Sequence, residues 1–215
     1  MQKKTFNFSR KLLDTAANEL RQLLDVHKPI KERRELEEKE HLQTFFNNHP
    51  IVLCTLAHLV EMSELDVDEM QFEFDLWGNF RCDIGFGNST TNTYCLIELE
   101  DAKKDSIFAK KPVRHPKFSD RINRGQSQIE DWIWKIDSLK NNSNEIKELF
   151  DSDHPTITYL LIIGRNHFIE RHSLKERFKF KKEMHSKIMK YLTYDEVLLY
   201  LENSIKKIDD YKKME

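Results

Sequence analysis

The chain contains few of the residues that interrupt regular structure, with only 5 glycines and 5 prolines among 215 residues. Because 39% of the residues are hydrophobic and 33% are charged, the composition excludes a disordered protein and predicts a folded, helix-rich and very soluble one. No apolar run reaches 18 residues, and the first residues, MQKKTFNFSRKLL, lack the apolar core and cleavage site of a secretory signal. We therefore expect a cytoplasmic protein with no membrane partner.

Cysteine is also scarce, and the three cysteines, Cys54, Cys82 and Cys95, are widely spaced within apolar segments. They form neither a CxxC pair nor an even set, which excludes a disulfide framework. The 9 histidines show no HExxH spacing, which argues against a structural zinc site. The cysteines are predicted to be reduced packing residues.

The chain as a whole lacks excess positive charge, since its formal charge is −2. Residues 102–125, however, are strongly basic. This basic segment carries five lysines and three arginines against two aspartates, a net +6, which leaves −8 for the rest of the chain. Any contact with a nucleic acid must therefore come from this local concentration of charge. The alternatives are a flexible solvated loop or a patch that faces an acidic protein.

Helical spacing dominates both ends of the sequence. Before any strand, three helices are predicted, over residues 9–27, over residues 31–47 and from Pro50 onward. Later helices are predicted over residues 125–140 and 173–187, and a last one follows the capping-box pair Thr193 and Glu196.

Strand patterns occupy the middle of the chain. Residues 70–77 and 80–86 alternate around the turn WGN and predict a hairpin, with Phe80, Cys82, Ile84 and Phe86 on one face. Residues 93–100, TYCLIELE, and residues 156–164, TITYLLIIG, predict buried strands. A mixed α/β (α+β) fold follows, with N-terminal helices before the sheet.

Two glutamates end the third strand, and side-chain alternation places Glu98 and Glu100 on one face, roughly 6.6 Å apart along the strand. Ile97 and Leu99 then pack on the other face. If the preceding strand pairs with this one, Asp83 approaches Glu98. Convergent carboxylates are costly unless a cation neutralises them, and oxygen ligands suit Mg²⁺ or Mn²⁺. The pattern favours a metal site at Asp83, Glu98 and Glu100; the alternative is a solvated strand end paired with lysines.

The succession of motifs resembles a known family. An Asp followed after fifteen residues by Glu-x-Glu is similar to the PD-(D/E)XK nuclease pattern, and more narrowly the chain resembles the Shedu-type nuclease domain of bacterial antiphage defence proteins. The resemblance covers residues 35–202 and rests on EHLQTFFNNHP, FRCDIGFG, YCLIELEDA, SQIEDW, YLLIIGR and LTYDEVL. It implies a restriction-endonuclease-like mixed β-sheet core flanked by helices. Residues 1–34 would be a helical extension and residues 35–215 the nuclease domain.

By position, the resemblance implies metal ligation by Asp83 and Glu98, with Glu40 as a candidate additional acid. Gln128, with Trp132, resembles the Gln-x-x-x-Tyr element that places a glutamine beside such sites; the alternative is an ordinary exposed helix residue. Glu100 departs from the family pattern, which has a lysine there. A second acid at this position would bind metal or accept a proton from the attacking water.

The resemblance also gives the basic segment a role, since cations there would contact DNA phosphates without reading sequence. The predicted DNA contacts are Lys103, Lys104, Lys110, Lys111, Arg114, Lys117, Arg121 and Arg124, with Arg165 as a further candidate.

The leading hypothesis is a Mg²⁺- or Mn²⁺-dependent endonuclease that hydrolyses DNA in antiphage defence. Its alternative is a catalytically inactive nuclease-fold module that binds nucleic acid or a protein partner. A third hypothesis is an interaction domain that assembles through its amphipathic ends, residues 9–27 and 194–212. We also expect a homo-oligomer and an activating protein partner.

Overall fold

Six strands form one mixed sheet in the computed structural model, which describes residues 1–4, 6, 8–109, 116–139, 143–152 and 154–213. Strand order in space follows the chain, with antiparallel pairing from β1 to β4 and parallel pairing from β4 to β6. The strands are β1 (Gln2–Lys3), β2 (Glu69–Leu76), β3 (Phe80–Asn88), β4 (Thr93–Leu99), β5 (Thr156–Ile162) and β6 (Met189–Leu192).

Seven α-helices accompany the sheet within the described residues. They are α1 (Arg10–Leu23), α2 (Thr44–Asn48), α3 (Ile51–Thr55), α4 (Asp120–Ser138), α5 (Ser143–Phe150), α6 (His172–His185) and α7 (Tyr194–Lys212). The predicted mixed sheet flanked by helices is confirmed, although the short strand β1 precedes the N-terminal helices. The capping box predicted at Thr193 and Glu196 is present at the start of α7.

Two hydrophobic clusters show that helices cover both faces of the sheet. One cluster joins α1, α2, α3 and α7 to alternate residues of the central strands, such as Ile97 and Leu99. The other joins α4, α5 and α6 to the intervening residues, such as Leu96 and Leu161. Strand β4 is therefore buried on both faces, as its apolar run predicts. The three cysteines are free and buried, as expected.

The hairpin departs from regular alternation at one point. Glu73 has a φ of 48°, in the left-handed region, and the pairs Phe72–Ile84 and Phe74–Cys82 flank it. Ile84 packs in the first cluster, whereas Cys82 packs in the second. The prediction that Phe80, Cys82, Ile84 and Phe86 share one face is therefore wrong, because β2 and β3 both switch faces between these two pairs.

The predicted helix over residues 31–47 is confirmed only from residue 38 onward, and its first half is wrong. Backbone bonds between Leu36 and Ala102 hold the chain extended there, with N···O distances of 3.4 and 2.9 Å. The chain instead forms a 3₁₀ turn at Ile30–Glu32 and a π-helical turn at Glu38–Gln43 that leads into α2. The helix predicted over residues 125–140 begins earlier than expected, at Asp120, because the Ser119 hydroxyl caps it.

The N-terminal helix is not separate from the core. Leu13, Ala16 and Leu20 of α1 lie in the first cluster with residues of α7, so the predicted segments 1–34 and 35–215 meet in one packed region. None of the described helices is both long and apolar enough to cross a bilayer.

Arg165 connects three parts of the fold and is fully buried, so it is not available as the DNA contact considered above. Its guanidinium donates to Asp195 at the start of α7 and to the Leu24 carbonyl at the end of α1, at 2.9 and 3.0 Å. Burial opposes ionisation of Asp195, but hydrogen bonds from His167 and Arg165 outweigh it and lower its pKa to about 2.

We expect Asp195→Ala to lower the free energy of unfolding by about 3–5 kcal/mol, because a buried guanidinium loses its partner. Since the folded pKa is depressed, this contribution is complete above the unfolded pKa and is lost as the pH falls toward 2. Urea unfolding at pH 7 and pH 3 measures both effects. Asp210→Asn, on the exposed end of α7, is the control and should change stability by less than about 0.5 kcal/mol; an equal effect of the two variants would contradict the assignment.

Candidate functional site

An acidic cluster forms where β3 separates from β4. The backbone ladder between these strands ends at the pair Ile84–Ile97, and beyond it the Asp83 carboxylate accepts the Leu99 N–H at 2.7 Å. This bond holds Asp83 beside Glu98, close enough for their side chains to share a hydrogen bond. Two acids from neighbouring strands therefore meet in one partly buried place.

The cluster carries more negative charge than its surroundings compensate. Burial, followed by the charge of Asp83, raises the pKa of Glu98 to about 10. Burial also raises the pKa of Asp83 to about 6, against the opposing effect of the Leu99 N–H. Such shifts are typical of carboxyl groups that crowd one another away from water, and they occur frequently at functional sites.

A third acid, Glu38, approaches from the π-helical turn Glu38–Gln43. Burial, then the charges of Asp83 and Glu100, raises its pKa to about 7, and its backbone N–H donates to Asp101 at 2.9 Å. Glu40, the acid suggested by the resemblance, is exposed instead. A π-helical turn shifts the phase of successive side chains, so spacing along the sequence gave no signal that Glu38 would face the cluster.

Helix α4 supplies the polar groups that contact the two glutamates. Gln128 donates from Nε2 to the Glu98 carboxylate at 3.1 Å. Arg124 donates from Nε and Nη2 to Glu100 at 2.9–3.2 Å. Burial raises the pKa of Glu100, and Arg124 opposes that shift. Glu98 and Glu100 therefore share a face but have different partners.

Several of the predicted DNA contacts are engaged within the protein. Lys103 pairs with Asp101 and Glu37, both at 3.1 Å, and Arg121 pairs with Asp101 and Asp105 at 3.0 and 2.7 Å. Two further lysines, Lys104 and Lys117, are exposed. The remaining candidates, Lys110, Lys111 and Arg114, lie outside the described residues.

A divalent cation fits the Asp83–Glu98 pair by donor chemistry. Both offer carboxylate oxygens, their pKa values are raised, and two positive charges would relieve their repulsion. Within the described ranges, no group of three His, Cys, Asp or Glu side chains already stands in position to hold a metal ion. Glu100, the third predicted ligand, is instead bound by Arg124.

These features define a mixed α/β protein with an acidic site near the C-terminal end of a central strand. The model of the family described as Shedu protein SduA, C-terminal, matches residues 35–198, and the chain belongs to this family. The matched region contains all the acids of the cluster and the whole of α4, whereas α1 lies outside it. No curated protein matches the chain.

We expect Glu98→Gln to stabilise the metal-free protein at pH 8 by about 1 kcal/mol, because folded Glu98, with a pKa of about 10, must take up a proton on folding at this pH, whereas the glutamine is already neutral. The folded pKa of Glu98 is raised, so the wild type loses stability as the pH rises above the unfolded pKa of about 4.5 toward 10. The advantage of the variant should therefore be smaller at pH 5 than at pH 8. Thermal unfolding in EDTA measures it, with the exposed Glu148→Gln as control; a variant less stable than wild type at pH 8 would contradict the raised pKa of Glu98.

Proposed function

We propose that the protein is a metal-dependent endonuclease that hydrolyses DNA phosphodiester bonds and acts in bacterial defence against phage. The observation that carries this proposal is the meeting of Asp83 and Glu98, both with raised pKa values, beside Gln128. Membership of the Shedu family supports the same reaction class. The resemblance to PD-(D/E)XK nucleases assigns these positions to metal binding.

In this proposal Asp83 and Glu98 hold Mg²⁺ or Mn²⁺, and Glu38 lies near enough to act on the same ion through its charge. The bound metal would lower the pKa of a water and offset charge on the phosphate. Gln128 fixes the orientation of the Glu98 carboxylate through its amide N–H. The Leu99 N–H fixes Asp83 in the same way.

One observation favours the alternative, a module that binds nucleic acid or a protein without cleaving it. The Glu100 carboxylate is paired with Arg124, and the described acids do not include a preformed set of three metal ligands. This alternative predicts salt-sensitive DNA binding, little metal affinity and no cleavage even in Mn²⁺.

Cleavage of supercoiled plasmid in Mg²⁺ or Mn²⁺ tests the nuclease proposal. Asp83→Asn should lower the rate by about 100-fold or more, because it removes a metal ligand. Asparagine keeps an oxygen that accepts the Leu99 N–H, so the fold should be retained. Glu148→Gln, on the exposed side of α5, is the matched control and should cleave like wild type. Metal-independent cleavage, or equal rates in all three proteins, would reject the proposal.

The salt dependence of duplex binding tests whether the basic segment contacts DNA. Replacing both exposed lysines, Lys104 and Lys117, by alanine should weaken binding of a labelled duplex equally across sequences. The slope of log affinity against log salt should decrease in magnitude by about 1–2, because each phosphate contact releases about one counterion. Fluorescence anisotropy in Ca²⁺ gives the slope. Replacing Lys206 and Lys207 by alanine, on the exposed side of α7, removes two positive charges elsewhere, and a similar change in its slope would refute a localised contact.

A further inference from the structure

Helix α4 and strand β4 carry two polar pairs in matching register. Arg124 and Gln128 lie four residues apart on the helix, a rise of about 6 Å. Their partners, Glu100 and Glu98, lie two residues apart on the strand, about 6.6 Å. Both contacts form together for this reason: Gln128 reaches Glu98 at 3.1 Å, and Arg124 reaches Glu100 at 2.9 Å.

Gly125 allows the helix to come this close to the sheet. A Cβ atom at this position would lie 2.8 Å from Leu161 Cδ1 and 3.3 Å from Glu100 Cγ. A larger residue would therefore require the Leu161 side chain or α4 to shift. Arg124 is adjacent to this contact, so its position over Glu100 depends on it.

The two members of the Arg124–Glu100 pair differ strongly in exposure. The Glu100 side chain is 1% exposed, whereas the Arg124 side chain is 66% exposed. Arg124 uses Nε and Nη2 on the carboxylate, and among the described residues Nη1 has no hydrogen-bond partner. Tyr194 also holds the strand here by donating its hydroxyl to the Glu100 carbonyl at 2.8 Å. A buried acid thus anchors an arginine whose outer N–H groups face solvent beside the acidic cluster.

We propose that Arg124 is the phosphate-binding cation of the site and that Glu100 is the residue that positions it, not a ligand of the metal. This inference rests on the proposed nuclease function. Both oxygens of Glu100 already accept N–H groups from a guanidinium, whereas Asp83 and Glu98 have no cationic partner among the described residues. A guanidinium donates five N–H groups in a planar fork, so it can hold a carboxylate on one edge and a phosphate oxygen on another.

The chemistry assigned to Arg124 needs no change in its protonation. In hydrolysis a water oxygen bonds to phosphorus, one ester P–O bond breaks, a proton of the water passes to solvent, and the leaving oxygen takes a proton from water. Negative charge grows on the phosphate oxygens as the water attacks. A fixed guanidinium beside them lowers the barrier, since preorganised donors act most strongly where charge develops.

Metal affinity can be measured without an assay of cleavage, and it distinguishes Glu100 from the proposed metal ligands Asp83 and Glu98. Calorimetric titration with Mn²⁺ alone should give Asp83→Asn a loss of affinity of about 10-fold or more, the least expected when a carboxylate ligand is removed. Glu100→Gln and Arg124→Gln should stay within about 3-fold of wild type, because neither residue touches the metal. If Glu100→Gln lost Mn²⁺ affinity as Asp83→Asn does, Glu100 would be a ligand and the inference would be overturned. If Asp83→Asn lost none, the metal assignment of the proposed function would fail instead.

Cleavage and DNA binding test the cationic role of Arg124. In Mn²⁺, Arg124→Gln should lower kcat by about 100-fold or more, and Arg124→Lys should recover part of that loss, as expected for an electrostatic role. The double variant Glu100→Lys with Arg124→Gln moves the cation to the strand and should cleave faster than Arg124→Gln alone. Circular dichroism should show the same folded signal for all variants. Wild-type kcat in Arg124→Gln would overturn the inference while leaving the nuclease proposal intact.

Should the wild type not cleave, binding of a duplex in Ca²⁺ still decides the role of Arg124. Arg124→Gln should then weaken binding by about 10-fold, a typical loss when a charge-assisted contact is removed. Lys206→Ala on α7 should not. An unchanged affinity in Arg124→Gln would show that the arginine only neutralises Glu100.

Discussion

The close approach of α4 to the sheet at Gly125 determines the arrangement of the whole site. Because no side chain separates the helix from Leu161 and Glu100, residues one turn apart on α4 reach residues on one face of β4. The same helix begins at the Ser119 cap, which also donates to the Ser106 carbonyl and so attaches the basic segment to the start of α4. The close packing at Gly125 and the Ser119 hydrogen bonds together hold α4 against the end of β4 and against Ser106.

The acids at the edge of the cluster and those at its centre have different partners. At the edge of the cluster, Asp101 forms ion pairs with Lys103 and Arg121 and accepts a hydrogen bond from the Glu38 N–H. These contacts lower the pKa of Asp101 although its burial opposes the shift. Inside, Asp83 and Glu98 have amide donors but no cation within the described residues, and their pKa values are raised. The fold thus pairs the acid at the edge of the cluster with cationic side chains, whereas the acids at its centre are left to be neutralised by a proton or a bound cation.

The sequence predicted the strand-borne part of the site well, because alternation is a local rule. It placed Glu98 and Glu100 on one face of their strand and brought Asp83 toward them, and the family resemblance pointed to Gln128. It failed where local rules are broken. Strands β2 and β3 switch faces beside Glu73, whose φ is positive, and the π-helical turn brought Glu38 inward in place of Glu40. The ion pairs of Lys103, Arg121 and Arg124 depend on contacts distant in sequence, so composition alone showed a basic loop and not its internal pairing.

Replacing a lysine by the Glu100–Arg124 pair changes the charge of the site even if the guanidinium lies where the lysine ammonium would. A lysine on the strand adds one positive charge, whereas a glutamate and an arginine together add none. Burial first, and then the charges of neighbouring acids, raises the pKa of Glu38, Asp83 and Glu98, and the pair adds no net positive charge to oppose this. A divalent cation bound there would gain more from relieving this repulsion than in a site that keeps its lysine.

The Glu100–Arg124 pair also holds the arginine on a buried anchor, and a tethered planar cation contacts phosphate with less loss of conformational entropy than a free lysine. If Arg124 binds phosphate as proposed, the pair would keep the phosphate contact of the lysine, and the bound metal would supply the positive charge that the pair does not add.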